Sequence, residues 1–285
     1  MLYRSILTSV FISISVKSFC QDSLHTLSSV YWDHQSSINI SLEYQSDNVF
    51  LGRKDSISTP YYGLQLGFTF KNGLYFSAKE DYTTIYKGRF DAGTIAAGYN
   101  FMQSKNWGGE LFAEKYFYNK SSKAVRSEIA AIIGGEVCYE NDWITPNLNL
   151  NLAFGQKTDI IITPSLNREF EFLNKQLSIA PVIGFSFATQ HFLDSYFQRL
   201  AKQEGKTKAE KSVLNSGKFN LKTVEISLPI TYLYKCWEFS LQPTWILPKN
   251  PSEITIGTII LTEKLNYIYL MQAGLKYHFR LNQKS

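Results

Sequence analysis

From Tyr267 onward, the stretch Leu265–Leu281, LNYIYLMQAGLKYHFRL, alternates without a break. Tyr267, Tyr269, Met271, Ala273, Leu275, Tyr277 and Phe279 share one face. Ile268, Leu270, Gln272, Gly274, Lys276, His278 and Arg280 share the other, which grows more polar toward its end. A period of two over such a length is an extended strand, because successive side chains point to opposite faces. Strands of soluble domains usually run about five or six residues, whereas a tilted strand crossing a bilayer needs about 9–11. The stretch therefore predicts a membrane-spanning β-barrel, against the alternative of an amphipathic edge strand in a soluble sheet.

The same alternation recurs upstream. It predicts strands at about 36–46, 60–71, 74–83 and 89–101, another from Trp107, and others at about 125–138, 144–155, 159–173, 177–190, 221–235 and 237–247. In the clearest of them Leu148, Leu150, Leu152 and Phe154 oppose Asn147, Asn149, Asn151 and Ala153. Asn72-Gly73 is a hairpin signal, since both residues tolerate positive φ. Short connections fall at 72–73, 102–106, 139–143, 174–176 and 235–236. Longer ones fall mostly between them, at 47–59, 83–88, 119–124, 191–220 and 248–263, with 156–158 the exception. Short periplasmic turns alternating with longer outer loops are the build of bacterial transmembrane barrels. Aromatics also gather at the short turns, among them Trp107, Trp143 and Trp237, as in an interfacial girdle.

The expected fold is all-β, a transmembrane antiparallel up-and-down barrel of about 12 strands, ten being the other count the pattern allows. An even number places both termini on the periplasmic side. One segment reads as helical: Leu193, Phe197 and Leu200 have i, i+4, i+7 spacing within the outer loop 191–220, and Gly205 is a stop signal. One residue misfits. Arg168 falls in the apolar phase of strand eight, where a charge at mid-bilayer costs about 2–4 kcal/mol. Either the strand bulges there, or Arg168 lies near an interface, or the strand is wrongly assigned.

The front of the chain reads as a signal peptide over 1–20, followed by the barrel over 21–285. Arg4 supplies the positive region, Ile6 to Val16 a short apolar core, and Ser18 and Cys20 the small residues before Gln21. A lipid-attached Cys20 competes with cleavage, but Lys17-Ser18-Phe19 is a poor approach to a lipoprotein cysteine. No later stretch has eighteen apolar residues, so no transmembrane helix is expected. The 20 Phe and 18 Tyr against 8 Pro suit strands. The net charge of +5 is spread along the chain, without the basic stripe and interleaved aromatics of a nucleic-acid binder. Cys138 and Cys236 have four predicted strands between them, beyond disulfide reach; they read as free thiols, with no metal site and no cofactor.

Two resemblances bear on location. Gln272-Ala273-Gly274-Leu275-Lys276-Tyr277-His278-Phe279 matches polar-x-Gly-x-x-aromatic-x-aromatic. It resembles the C-terminal assembly signal of outer-membrane β-barrels, which implies the cell outer membrane, its lipid and the barrel-assembly machinery as partners. Gln21 at a new N-terminus, with abundant aromatics and asparagine, resembles exported proteins of the Bacteroidota. Together these imply a Bacteroidota-type outer-membrane barrel of an uncharacterised family.

Candidate chemistry is sparse. Gly205-Lys206-Thr207 lacks the earlier glycine of a phosphate loop, Leu200 standing there. His34-Gln35-Ser36 is similar to the His-x-Ser pair of the outer-membrane phospholipase and lipid A deacylase families. In such a pair histidine acts as general base for serine. Here it precedes strand one, at the periplasmic end, and Ser37-Ile38 replaces the Asn-Gly of those families. His191 and His278 lack a nucleophile at a recognisable spacing and read as polar lumen or loop residues.

The inward phase is more telling. Glu43, Glu110, Glu114, Glu128, Glu136, Glu225 and Glu238 fall there, with fewer bases such as Lys79 and Lys276. One reading is a cation-preferring lumen, since carboxylate rings favour cations; the other is a paired network that fills and stiffens the barrel. Barrels of about eight strands are filled by side chains and those of about sixteen hold channels, so twelve leaves both open. The expected function is a non-enzymatic pore, transporter or surface-interaction protein. The alternative is a lipid-modifying barrel hydrolase using His34 and Ser36. The loop 191–220 carries Arg199, Lys202, Lys206, Lys208, Lys211 and Lys218 against Asp194, Glu204 and Glu210. It could hold lipopolysaccharide or simply be solvated.

Overall fold

The computed structural model describes residues 36–54, 58–85, 88–102, 106–122, 124–203, 211–256 and 259–281. The expected signal peptide, His34, and the Gly205 and Lys206 signals lie outside the described residues.

Nine strands are continuous: β1 (Ser37–Gln45), β2 (Tyr61–Thr69), β3 (Leu74–Thr83), β4 (Arg89–Met102), β5 (Trp107–Tyr118), β6 (Ala131–Tyr139), β7 (Thr145–Phe154), β11 (Trp237–Pro248) and β12 (Ile268–Arg280). Three come in two pieces: β8 (Thr158–Asn167 and Phe170–Phe172), β9 (Leu177–Ile179 and Val182–Ala188) and β10 (Asn220–Ser227 and Ile230–Tyr234). Each pairs antiparallel with its sequence neighbour, and β1 pairs with β12 from Ser37↔Arg280 to Gln45↔Gln272. The result is a closed antiparallel barrel of 12 strands. Closure leaves no edge with unpaired backbone groups, which a bilayer requires.

The interruptions in β8, β9 and β10 line up. Pro181 and Pro229 have no N–H to give to a ladder. Across the breaks the Arg168 N–H donates to the Pro181 carbonyl (3.3 Å) and the Ala180 N–H to the Pro229 carbonyl (2.9 Å). Arg168 sits in this kink, exposed at the short-turn rim, its guanidinium 5.1 Å from the Phe170 ring centre and 6.0 Å from that of Trp143. The apparent misfit is therefore an interfacial arginine among aromatics, and the strand phase stands.

Alternation gives the wall two chemistries. Outward positions such as Leu42, Leu64, Leu150, Ile160 and Leu241 are exposed apolar side chains. Their inward neighbours, among them Asn39, Gln65, Asn147, Ser165 and Gln272, are buried and polar. An apolar surface this continuous is one that lipid covers, and the molecule is a transmembrane barrel. On β11 and β12 the pairs Trp237–Tyr277 and Trp245–Tyr269, with ring centres 4.7 and 5.5 Å apart, mark two levels. Eight residues at ~3.3 Å each, tilted by ~40°, separate these levels by roughly 20 Å, close to the height of a barrel's apolar band.

The two rims differ. At one, Gly73 (φ 96°) and Lys235 (φ 57°) close short turns. At the other the connections carry structure of their own: a hairpin of Val49–Phe50 with Arg53–Lys54, a 3-10 turn at Val125–Glu128, helix α1 (His191–Gln203), and a three-strand loop sheet of Lys211–Leu214, Glu253–Ile256 and Ile259–Thr262. The expected strand six began near 125. It begins at Ala131, because 125–128 closes on itself through Ser127 N–H to Ala124 carbonyl (3.0 Å) and Ile129 N–H to Arg126 carbonyl (2.9 Å). Glu128 therefore lies in a mouth turn and not on the lumen wall.

Candidate functional site: the lumen and its outer mouth

The structure places eight of the nine expected lumen residues on the inward face of the wall. Near the short turns Glu238 accepts from the Lys276 ammonium at 3.2 Å and meets His278 Nε2 at 3.0 Å. Half-way up, the Lys79 ammonium lies 2.8 Å from Glu43 and 3.1 Å from Asp81. Gly63 makes room for it: a Cβ there would meet Lys79 Cε at 2.5 Å. Glu110 accepts from the Tyr75 hydroxyl and Glu114 from the Tyr116 hydroxyl. Glu136 accepts from Asn149 at 3.4 Å and Glu225 from Thr223 at 3.2 Å. The lumen is thus acidic and cross-linked at once. Each buried carboxylate meets a cation or a hydroxyl or amide donor, as buried charge requires.

Above this network the mouth is closed by apolar packing. Phe50 and Leu51 from the loop hairpin, Val125 from the 3-10 turn, Phe192, Leu193 and Tyr196 from α1, and Val213 from the loop sheet form one buried cluster. They pack on inward-facing Ile132, Ala153, Ile161 and Ala188 at the outer ends of β6 to β9, and on Phe112 half-way along β5. Val49, Ile246, Ile268 and Leu270 form a second buried cluster. Phe50 and Phe192 meet edge to face at 4.8 Å.

Polar anchors hold each loop piece. Asp159, at the top of β8, accepts from the His191 N–H (2.7 Å), the Phe192 N–H (2.8 Å) and the Thr189 hydroxyl (2.7 Å), and faces His191 Nδ1 at 3.1 Å. These are otherwise orphan donors at the start of α1, and an anion there also suits the helix dipole. Arg199 of α1 pairs with Glu128 and donates to the Ser122 carbonyl (2.7 Å) and the Ser127 hydroxyl (2.8 Å). The Arg126 guanidinium lies over Tyr116 (4.6 Å) and Phe50 (5.3 Å). Arg53 of the hairpin is buried on the carbonyls of Leu51 (2.8 Å) and Asn250 (3.1 Å) and on Glu263 (3.1 Å). Burial pulls its pKa below the ordinary arginine value, and Glu263 pulls it back up. Between network and plug lies a cavity of about 30 Å³ bordered by Tyr61, Lys79, Asp81, Thr94, Tyr116 and Arg126, polar and roomy enough to hold water.

Sequence reasoning missed Arg53, Arg126, Asp159 and Phe192. A signal existed: Phe112, Ile132, Ile161 and Ile246 are large apolar residues in the polar phase, which makes sense only if something apolar enters the barrel. Ser36 stands at the opposite rim, where its Oγ accepts from the Lys71 N–H (3.3 Å) and its carbonyl from the Leu281 N–H (3.0 Å). His278 is engaged by Glu238 and His191 by Asp159. Cys138 is a buried free thiol on β6 and Cys236 a free thiol at the β10–β11 turn.

No protein-family model matches the chain, and no curated protein matches it. Among solved structures it is similar to the KdgM porin, at 12% identity over 85% of this chain and 99% of that one, with a TM-score of 0.49. It is also similar to the NanC porin, at 7% identity over 84% and 98%, TM-score 0.47. A third is LpxR from Salmonella typhimurium, at 10% identity over 84% and 99%, TM-score 0.43.

Proposed function

We propose that the chain is an outer-membrane passage protein for cations, held shut at its outer mouth by its own loops. The observation that supports this is the acidic inward face, continuous from Glu238 to Glu114, beneath a plug made of loop segments and not of wall. A barrel kept only as a rigid anchor gains nothing from buried carboxylates, which cost desolvation that apolar residues avoid. Carboxylates in a passage favour cations. Export by a leader over 1–20, assembly by the barrel machinery, a Bacteroidota source and contact of the 191–220 loop with lipopolysaccharide complete the reading. They rest on the sequence features given above. The short turns beside Ser36 support an orientation with that rim toward the periplasm.

Planar-bilayer recording of the full chain tests it. The expected record is a mostly closed protein with brief ohmic openings that prefer potassium over chloride. Anion preference would overturn the proposal. The rival hydrolase is tested separately by Ser36→Ala: phospholipid and lipid A turnover should be absent before and after the change, and turnover lost on mutation would make the barrel an enzyme.

A further inference from the structure

Away from the rims, two charged side chains stand in the outward phase of the described barrel strands: Glu80 on β3 and Lys115 on β5. Both are exposed on the face that lipid covers, and neither makes a hydrogen bond or ion pair among the described residues. Each sits one outward position below an aromatic of the outer level, Tyr82 and Phe117. A charge on the lipid side is unfavourable by an amount that grows with depth, up to about 2–4 kcal/mol for a basic residue at the midplane.

The two lie at the same height. Glu80 is level in register with Gly93, and Gly93 with Phe117. The row that starts at Ser37 on the short-turn end of β1 reaches Ala188 at the loop end of β9, so register rows climb toward the outer mouth from strand to strand. With strands ~4.8 Å apart and tilted ~40°, two steps raise Phe117 roughly 6 Å above Glu80. Lys115, two residues below Phe117, drops back by roughly 5 Å. Acid and base thus face lipid side by side, separated by β4.

The wall around them is uneven, with Ile95 of β4 exposed beside Lys115 and small residues above and below it. Gly93 faces open space, its nearest neighbour being a backbone oxygen 3.9 Å from where a Cβ would stand. Ala97 and Ala113 are paired in register beneath it, Ala131 is the partner of Lys115 on one side, and Ile95 stands between Lys115 and Ala78 on the other. By contrast β7 presents Leu148, Leu150 and Leu152 in succession. Small residues let backbones approach closely inside a membrane, where van der Waals contact and polar pairing drive association.

We propose that this β3–β5 face is a self-association surface. Two copies meet about a two-fold axis along the membrane normal, with Glu80 of each against the partner's Lys115. A two-fold interface is self-complementary, and one acid and one base at a common height satisfy it twice over. Lipid phosphate is a poorer occupant. It would satisfy Lys115 while bringing a negative charge to Glu80.

The test uses the full chain in lipid vesicles, with Cys138→Ala and Cys236→Ala removing the described thiols. Dimerisation is followed by fluorescence transfer between labelled copies, and folding by heat-modified gel mobility. The unmodified surface should dimerise. Glu80→Lys and Lys115→Glu should each weaken association about tenfold or more, a loss of ~1.4 kcal/mol or more, with folding intact. The exchange E80K/K115E should restore it. A wild-type monomer, singles that dimerise normally, or an exchange that fails to rescue would each overturn the proposal. So would a monomer that loses lipopolysaccharide binding on Lys115→Glu, which would hand that residue to the lipid.

Discussion

The lower and upper halves of the barrel interior are built by the same strands and solve different problems. Below, the inward positions are polar and charges are answered along the wall by the same or the neighbouring strand, as with Lys276, Glu238 and His278. Above, the same inward phase switches to Ile132, Ile161 and Ile246, and the loops supply the matching surface. The lower half is held by pairs that need particular partners at particular distances. The upper half is held by burial of apolar area, which is non-directional, with a few polar anchors fixing its register. The difference teaches where change is permitted. A wall network cannot open without breaking charge pairs, whereas a plug made of loops can leave as a unit.

The largest effect expected from this contrast comes from removing the loop. Deleting 195–217 takes out most of α1 and the Lys211–Leu214 strand while sparing every barrel strand. The two limbs of the loop already run close together near the cut, since the Gln190 N–H donates to the Ser216 carbonyl at 2.7 Å. The shortened chain should stay folded and heat-modifiable. Each ~1.4 kcal/mol of lost closure shifts a closed–open ratio tenfold, so losing Tyr196 and Val213 from the cluster should raise open probability in planar bilayers at least about tenfold. A deletion that fails to assemble would show the plug to be structural core. One that assembles and stays silent would show the lower network to be the true barrier.

A smaller but sharper effect concerns the lower half. Lys79 holds both Glu43 and Asp81. Lys79→Met keeps most of its volume and leaves two carboxylates together in the wall. Breaking a buried pair from one side costs about 3–5 kcal/mol, read as a lower urea midpoint in vesicles with an unchanged slope. Adding Glu43→Gln and Asp81→Asn should recover much of it. A cost under ~1 kcal/mol is what a solvated pair gives, and would mean that water reaches this level and the passage is open from below.

What the sequence shows of all this follows the same division. The strands were legible because a two-sided wall imprints period two on every one of them. The paired carboxylates were legible as an acidic phase, though not as pairs, since Glu238 and Lys276 are 38 residues apart and meet only through register. The helix at 191–203 announced itself by Leu193 and Phe197. The plug did not. The hairpin at 49–54 turns on Leu51 (φ 48°) and Gly52 (φ 70°), the 3-10 turn at 125–128 interrupts a stretch that alternates well, and the loop sheet joins residues 211–214 to 253–256. Such features are set by what they pack against, and local pattern carries no record of that.

The smallest effect tests the anchor between the halves. Asp159 rises from a wall strand and caps a loop helix, with both carboxylate oxygens used by the first N–H groups of α1. Asp159→Asn keeps the shape, turns one acceptor into a donor facing an N–H, and removes the negative charge from the helix start. Loss of a cap costs about 0.5–2 kcal/mol, and the dipole contribution is within about 0.3–1 kcal/mol. The cluster around Phe192 and Leu193 remains, so the helix should stay docked while opening more often. Hydrogen exchange of the amides of 192–198 should speed up by about tenfold, with the strand amides of β8 unchanged. If the barrel strands exchange faster as well, wall and plug unfold together and are one cooperative unit. If 192–198 do not respond, the apolar contacts alone hold the helix, and the charge at its start serves the lumen rather than the lid.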